Sequence, residues 1–326
     1  MKIVVVGSGL AGVTVAEGLA KSGGHRVTLV TTETNGYYAR PRLSHGFALD
    51  DAAATKIVLK RFDALALGVQ VLAGTEAWLI DRENQRLAIA GDDRLDYDIL
   101  VLATGSAARV PPALLPLRAE FMTLNSLDDL LTLRRRRAKI LARGRAPGWA
   151  IVGGGLIGCE VASDLRKAGD AVTIFHRESR LIERQFSASQ SHALHEHFRA
   201  CGIAVSYDQD LNRLPYPFDG VIVSAGFAPR VDLAKDAGLA TARGIVVNEY
   251  LRTEDPAIYA LGDVAEIGST LHPFVVPIRS QALWLAEHLE GRTAEPWKAP
   301  QYSPVVKIHG FRPEPAYGLL ALAPGG

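Results

Sequence analysis

Six glycines carry the first chemical signal. Gly7, Gly9 and Gly12 stand in "VVVGSGLAG", and Gly153, Gly155 and Gly158 stand in "AIVGGGLIG" with the same spacing. In such a turn the first glycine permits the tight bend, the second lets the backbone approach a pyrophosphate, and the third lets helix and strand pack closely. The phosphates then meet N–H groups at the positive end of the helix. A single copy is a weak signal. Two copies, each after an apolar strand and before a helix that leads to a second strand, point to two dinucleotide sites in one chain.

The end of each second strand selects the nucleotide. In the first unit "VTLVTTE" places Glu33 where a carboxylate accepts hydrogen bonds from ribose hydroxyls, as the adenosine half of FAD requires. In the second unit the corresponding stretch reads "VTIFHRES", with His176 and Arg177 in place of an acid. Arg177 could grip a 2′-phosphate that a carboxylate would repel, so the sequence favours NADPH over NADH. The alternative is that both are exposed loop residues and the ribose is held elsewhere.

The scaffold that must position these groups is bounded by composition. With 326 residues, 48% hydrophobic, the chain has material for about two domains, and a net charge of +1 excludes a polyanion partner engaged over the whole surface. The only cysteines, Cys159 and Cys201, are too far apart in sequence for a CxxC or CxxxxC redox pair, which fits a reducing cytosol. The start "MKIVVVGSGLAG" reads as a buried strand, not a leader peptide. No uncharged apolar run reaches bilayer length. A soluble, cytoplasmic protein without nucleic-acid or membrane partners is the expectation.

Further segments carry a resemblance. "YDILVLATGS" (97–106), "GFAPRVDLAKDAGL" (226–239) and "AIYALGDVAE" (257–266) resemble the fingerprints of the two-dinucleotide-domain flavoproteins of the pyridine nucleotide-disulfide oxidoreductase superfamily. "ARPRLSH", "TLNSLDDL", "GGGLIGCE" and "LHPFVVPI" resemble the rubredoxin reductase and flavorubredoxin (nitric oxide) reductase branch most closely. The resemblance implies an α/β fold: two Rossmann-like domains, for FAD and NAD(P), the second inserted into the first. It implies an FAD-binding domain at 1–116 and 246–291 and an NAD(P)H-binding domain at 117–245. Residues 292–326 are then a short remnant of the interface domain, in which "YSPVVKIHG" matches a first strand.

Site residues follow from that resemblance. Thr104, Gly105 and Gly226 line the domain crossovers, and Gly262 and Asp263 meet the ribityl chain; from its sequence alone, Asp263 could equally be a helix N-cap. Arg40 and Pro41 fix a loop against the isoalloxazine. Backbone N–H groups near Val276 to Ile278, on either side of Pro277, could stabilise negative charge on the reduced ring through the helix dipole. The catalytic pair implied is His45 with Glu160. The histidine either tunes the reduced flavin by changing charge near neutral pH or serves as a structural hydrogen-bonding group.

Other clusters have plainer readings. His192, His195 and His197 read as an exposed polar helix face, not a metal site. Arg134 to Arg145, six arginines and a lysine, is either solvated helix surface or a dock for an acidic electron carrier. Cys159 reads as small buried filler. The function expected is an FAD-dependent oxidoreductase. It takes hydride from NAD(P)H and passes electrons to a rubredoxin- or ferredoxin-like protein without a redox-active disulfide. The alternatives are an NAD(P)H oxidase or small-acceptor reductase using oxygen or quinone, and a non-catalytic flavin- or nucleotide-binding redox sensor.

Overall fold

The computed structural model describes residues 1–47, 57–66, 68–117, 121–208, 218–303 and 305–313. Along the chain run β1 (Lys2–Val6), α1 (Leu10–Ala20), β2 (Arg26–Val30), β3 (Val69–Leu72), β4 (Ile99–Leu102), β5 (Phe121–Met122), α2 (Leu127–Leu141), β6 (Gly148–Val152), α3 (Leu156–Lys167), β7 (Ala171–His176), α4 (Ala188–Ala200), β8 (Ile203–Tyr207), β9 (Gly220–Val223), β10 (Ile258–Ala260) and α5 (Val275–Leu289). Shorter pieces are named where they are used.

The first compact unit is Met1–Ala39, Val58–Ala107 and Ala228–Tyr302. Its sheet runs β10-β4-β1-β2-β3, all parallel. Strands buried on both faces read as continuous apolar runs, and β1 does so. Ile3 and Val5 pack with Leu19 of α1 and Leu285 of α5, while Val4 and Val6 face a second core that holds Ala234 and Leu239. The second unit is Arg40–Ile57, Ala108–Phe227 and Ser303–Gly326. Its sheet, β5-β9-β6-β7-β8, is also parallel; β9-β6-β7-β8 repeats the order β4-β1-β2-β3 with the glycine-bearing strand in the middle, but the edge strand β5 precedes its unit's other strands in the chain whereas β10 follows them.

The unit boundaries lie elsewhere than the domain limits read from the sequence. Residues 228–245 belong with the first unit because Ala234, Leu239 and Ile245 complete the core around Val4 and Leu100. Residues 40–47 belong with the second unit: a Cβ on Gly46 would strike the Leu130 side chain of α2, and Arg134 donates to the Gly46 carbonyl. Trp297 is buried in the first core. In "YSPVVKIHG", no strand pairing occurs among the described residues. Residues 209–217, between β8 and β9, and those from 314 lie outside the described residues.

Close packing of strand and helix dictates the glycine turns. Gly7 has φ +105°, and a Cβ on Gly12 would lie 1.8 Å from the Gly7 carbonyl oxygen. The second turn repeats this, with Gly153 at φ +116° and a Gly158 Cβ 1.9 Å from the Gly153 oxygen. Backbone cannot yield cheaply to such an overlap, which is why both positions are glycine.

Several arginines of the run 134–145 have partners within the fold. Arg137 donates from Nε and Nη2 to the fully buried Asp170 carboxylate at 2.8–3.1 Å, and Trp149 Nε1 donates to the same group at 2.9 Å. Arg136 donates to the Asp219 carbonyl, and Arg145 donates to the Asp219 carboxylate. Among the described residues no helix is long and apolar enough to cross a membrane.

Removing one partner of a buried ion pair leaves an uncompensated charge. Arg137→Ala is therefore expected to lower the urea-unfolding free energy by about 3–5 kcal/mol. Arg135→Ala, whose exposed guanidinium donates to exposed Thr132, should stay within about 0.5 kcal/mol.

Candidate functional site

The five long helices differ at their N-termini. α2 begins with a capping box, Ser126 with Asp129, and α4 with another, Ser187 with Gln190. α1, α3 and α5 have no side-chain cap and no acidic residue in the first turn. The first N–H groups of a helix have no intrahelical acceptor, and the macrodipole makes that end positive. Three such ends are thus available to an external anion. Gly9 and Gly155 are the N-cap residues of α1 and α3, and a Cβ at either would meet nothing within 4 Å. The space beside them is what a phosphate group needs.

In the first unit the groups around the α1 end are held from behind. Ser8 Oγ and Thr31 Oγ1 share a buried hydrogen bond of 2.7 Å, and Thr31 Oγ1 accepts from the Glu33 N–H at 3.1 Å. Tyr38 Oη donates to Glu33 Oε1 at 2.5 Å, so the carboxylate has a fixed orientation at the end of β2. Thr104 Oγ1 donates to the Arg230 carbonyl at 2.9 Å, and Gly105, at φ +68°, accepts from the Arg230 N–H at 2.9 Å. Asp263 does not cap a helix: Leu261 takes the N-cap position of the short turn Gly262–Val264, and Asp263 Oδ2 accepts from Ser106 Oγ at 2.8 Å.

Gly262 N–H donates to Gln281 Oε1 at 2.7 Å, while Gln281 Nε2 is buried without a partner. At α5, Pro277 has no N–H and the Ile278 N–H is taken by the Phe274 carbonyl at 3.1 Å. Of the donors expected near Val276 to Ile278, the Val276 N–H is left, together with that of Val275.

In the second unit His176 is buried at 6% exposure, and its ring is used inside the fold. Nδ1 accepts from the Gly154 N–H at 3.0 Å; Nε2 lies 3.1 Å from the Arg180 carbonyl and 3.2 Å from Glu183 Oε2. Nδ1 must carry the lone pair, so Nε2 carries the proton. The imidazole braces the second glycine turn, with both ring nitrogens engaged inside the fold. Arg177 is exposed, but Nε and Nη2 donate to Glu178 Oε1 at 3.0 and 2.7 Å. An acid thus does stand at this strand end, two residues beyond the place expected. At the crossover, Gly226 has φ +104° and accepts from the Arg109 N–H at 3.0 Å.

The expected pairing of His45 with Glu160 is not the one the structure forms. His45 Nε2 lies 3.8 Å from Asp164 Oδ2, one turn further along α3. Glu160, 7% exposed, accepts from the Lys307 N–H at 2.9 Å and has the Lys307 ammonium 3.8 Å from Oε2. Burial pushes the Glu160 carboxyl above its ordinary value, against the opposing pull of Lys307. Lys307 could be suspected only from charged residues alternating with apolar ones in "VVKIHG"; its partner is far away in sequence. Arg40 and Pro41 form a short 3-10 turn, and the Pro41 carbonyl accepts from Lys307 Nζ at 2.9 Å.

Both cysteines are free. Cys159 is buried, with its thiol pushed well above its ordinary value by burial, and Sγ donates to the Gly154 carbonyl at 3.3 Å. A desolvated thiol of this kind is a poor nucleophile. His195 Nδ1 pairs with Tyr207 Oη at 2.9 Å, and His197 Nε2 with the His309 carbonyl at 2.9 Å. Among the described residues no cluster of three or more His, Cys, Asp or Glu could hold a metal ion.

Two parallel-sheet units, each with a glycine turn aimed at an uncapped helix, define a protein with a duplicated dinucleotide-binding fold. The sequence profile of the pyridine nucleotide-disulphide oxidoreductases matches residues 1–281, and the chain belongs to that family. It is accordingly an FAD- and NAD(H)-dependent oxidoreductase. A nitric oxide reductase FlRd-NAD(+) reductase of Klebsiella pneumoniae is 34% identical over 90% of this chain and 80% of its own length. Putidaredoxin reductase of Pseudomonas putida is 35% identical over 95% and 80%. The crystal structure of NADH:rubredoxin oxidoreductase from Clostridium acetobutylicum superposes with a TM-score of 0.82 at 26% identity, covering 95% of this chain and 80% of that one.

Since a Cβ on Gly9 meets nothing, Gly9→Ala should keep stability within about 1 kcal/mol. It should nonetheless purify with less bound flavin, read from its visible absorbance; a fully flavinated variant would mean that phosphates do not rest on α1.

Proposed function

We propose that the first unit holds FAD, that the second binds NADH, and that the enzyme passes electrons from NADH to a small iron-containing carrier protein. The single observation that carries the two-nucleotide reading is the pair of glycine turns feeding uncapped helices, in contrast to the capping boxes of α2 and α4. In this reading Glu33, oriented by Tyr38, accepts from the adenosine ribose. Asp263 and Ser106 meet the ribityl hydroxyls, with Thr104 and Gly105 alongside, and the α5 N–H groups of Val275 and Val276 face developing negative charge.

FAD supplies the change from a two-electron hydride to single electrons. The chain's own part is to bind, orient and keep the charges in place. Residues 40–47 hold Arg40, Pro41, Ser44 and His45 and no cysteine, and the other thiols are Cys159, deeply buried, and Cys201. Electrons therefore leave for an outside acceptor and not through a protein disulfide. The carrier class rests on the relatives, whose names pair them with putidaredoxin, flavorubredoxin and rubredoxin.

The choice of NADH over NADPH rests on the strand end of β7. His176 is buried, and Arg177 is engaged by Glu178, whose carboxylate can accept from a ribose 2′-hydroxyl and would repel a 2′-phosphate. Anaerobic mixing with each nucleotide in parallel tests this. NADH should bleach the flavin at a higher kcat/KM than NADPH, and Glu178→Gln should narrow the gap about tenfold, the worth of one charged hydrogen bond. Faster bleaching by NADPH would reverse the assignment. If no rubredoxin or ferredoxin is reduced faster than oxygen, an oxidase takes the place of the carrier reductase.

A further inference from the structure

Helix α3 carries Glu160, Ser163, Asp164 and Lys167 at i, i+3, i+4 and i+7, one polar stripe on one face. The first three are buried, at 7%, 5% and 6% exposure, and buried polar groups need partners. Lys307 and His309 lie along this stripe and partner Glu160 Oε1, Ser163 Oγ and Asp164 Oδ1, while Asp164 Oδ2 is buried without a hydrogen bond among the described residues. The Lys307 N–H donates to Glu160 Oε1 and the His309 N–H donates to Ser163 Oγ, both at 2.9 Å. His309 Nε2 lies 2.7 Å from Asp164 Oδ1, and Lys167 Nζ lies 3.4 Å from His309 Nδ1. Between these two residues, Ile308 is buried. The Lys307 ammonium reaches past Glu160, 3.8 Å from Oε2, to donate to the Pro41 carbonyl at 2.9 Å.

We infer that Lys307 is the counter-ion of Glu160 and the positioning residue that ties the 40–47 loop to α3. One ammonium meets a buried carboxylate and a loop carbonyl, and its own backbone N–H completes the carboxylate's shell. His45, the other cation candidate of this loop, is directed at Asp164 instead. Arg134 of α2 holds the far end of the loop through the Gly46 carbonyl, so the loop is fixed at both ends by cations from other elements.

The titratable and charged groups facing Glu160 and its partner are few. Among the described residues they are Lys307 and His309 from the segment, His45 from the loop, and Cys159, Asp164 and Lys167 from α3. Glu160 already stands above its ordinary value through burial, and Asp164 pushes it the same way, while Lys307 holds it down. A carboxyl raised in the folded state stabilises most when protonated. Its contribution falls as pH rises from the ordinary carboxylate range through the raised value. Without Lys307 that raised value moves further up, and the fall continues to higher pH.

The test is thermal unfolding of the full chain at pH 5 and pH 8 for wild type, Lys307→Met, Lys307→Arg, and Lys307→Met combined with Glu160→Gln. The Tm deficit of Lys307→Met should be wider at pH 8 than at pH 5 by about 3 °C or more. Lys307→Arg should recover most of it, and the Glu160→Gln background should remove the pH dependence. If Lys307→Met does not fold, the double variant should, since no buried carboxylate is then left unpaired. A deficit equal at both pH values, or one that persists beside Glu160→Gln, overturns the inference. Any bearing on the flavin rests on the proposed role of the 40–47 loop. The thermal test needs no flavin, so a colourless wild type would remove that role and leave the Lys307–Glu160 test standing.

Discussion

Everything in this structure that concerns nucleotides depends on one close approach, the carbonyl of the first glycine of each turn against the Cα of the third. At 1.8 and 1.9 Å from a would-be Cβ, Gly12 and Gly158 allow α1 and α3 to start directly over the ends of β1 and β6. That geometry aims the helix axis, and therefore its positive end, at open space beside Gly9 and Gly155. Any side-chain cap there would compete with a ligand, and neither helix has one. Elsewhere the chain caps its helices with Ser126 and Ser187 in the ordinary way.

Once α3 is fixed by its turn, its polar stripe becomes a packing problem. Glu160 and Asp164 are carried into low exposure by the same helix that serves the nucleotide turn, and charges so placed need counter-charges and donors. Lys307 and His309 partner Glu160 and Asp164 Oδ1 from one distant stretch of chain, and His45 from another lies 3.8 Å from Asp164 Oδ2. Stabilising the helix and ordering the 40–47 loop are thereby the same set of interactions. Asp170, buried at the C-terminal side of the same helix, is satisfied in an equivalent manner by Arg137 and Trp149.

Much of this was legible in the sequence, because the features concerned are demanded by backbone geometry. The glycine turns need residues without a Cβ, and strands buried on both faces need continuous apolar runs, so "KIVVVGSG" and "WAIVGGG" announce themselves. The repeat of four-strand order, β4-β1-β2-β3 and β9-β6-β7-β8, follows from the same duplication. What was not legible depends on long-range packing. Nothing in "FHRES" reveals that His176 turns inward to accept from Gly154, or that Arg177 meets its neighbour Glu178. Residues 228–245 look like part of the inserted unit until Ala234 and Leu239 are seen to fill the first core. The family resemblance pairs Glu160 with His45, whereas the fold pairs it with Lys307. The arginine run was legible as charge but not as structure, since Asp170 and Asp219 stand on other elements.

The central claim is that electrons leave the flavin directly, with no protein disulfide between flavin and acceptor. An anaerobic reductive titration of the purified protein, carried to completion, tests this most directly, because FAD and a disulfide are each two-electron centres. Uptake of about two electrons per bound flavin, in one phase, is the predicted result. Uptake of about four, with a second phase and two new titratable thiols, would contradict it.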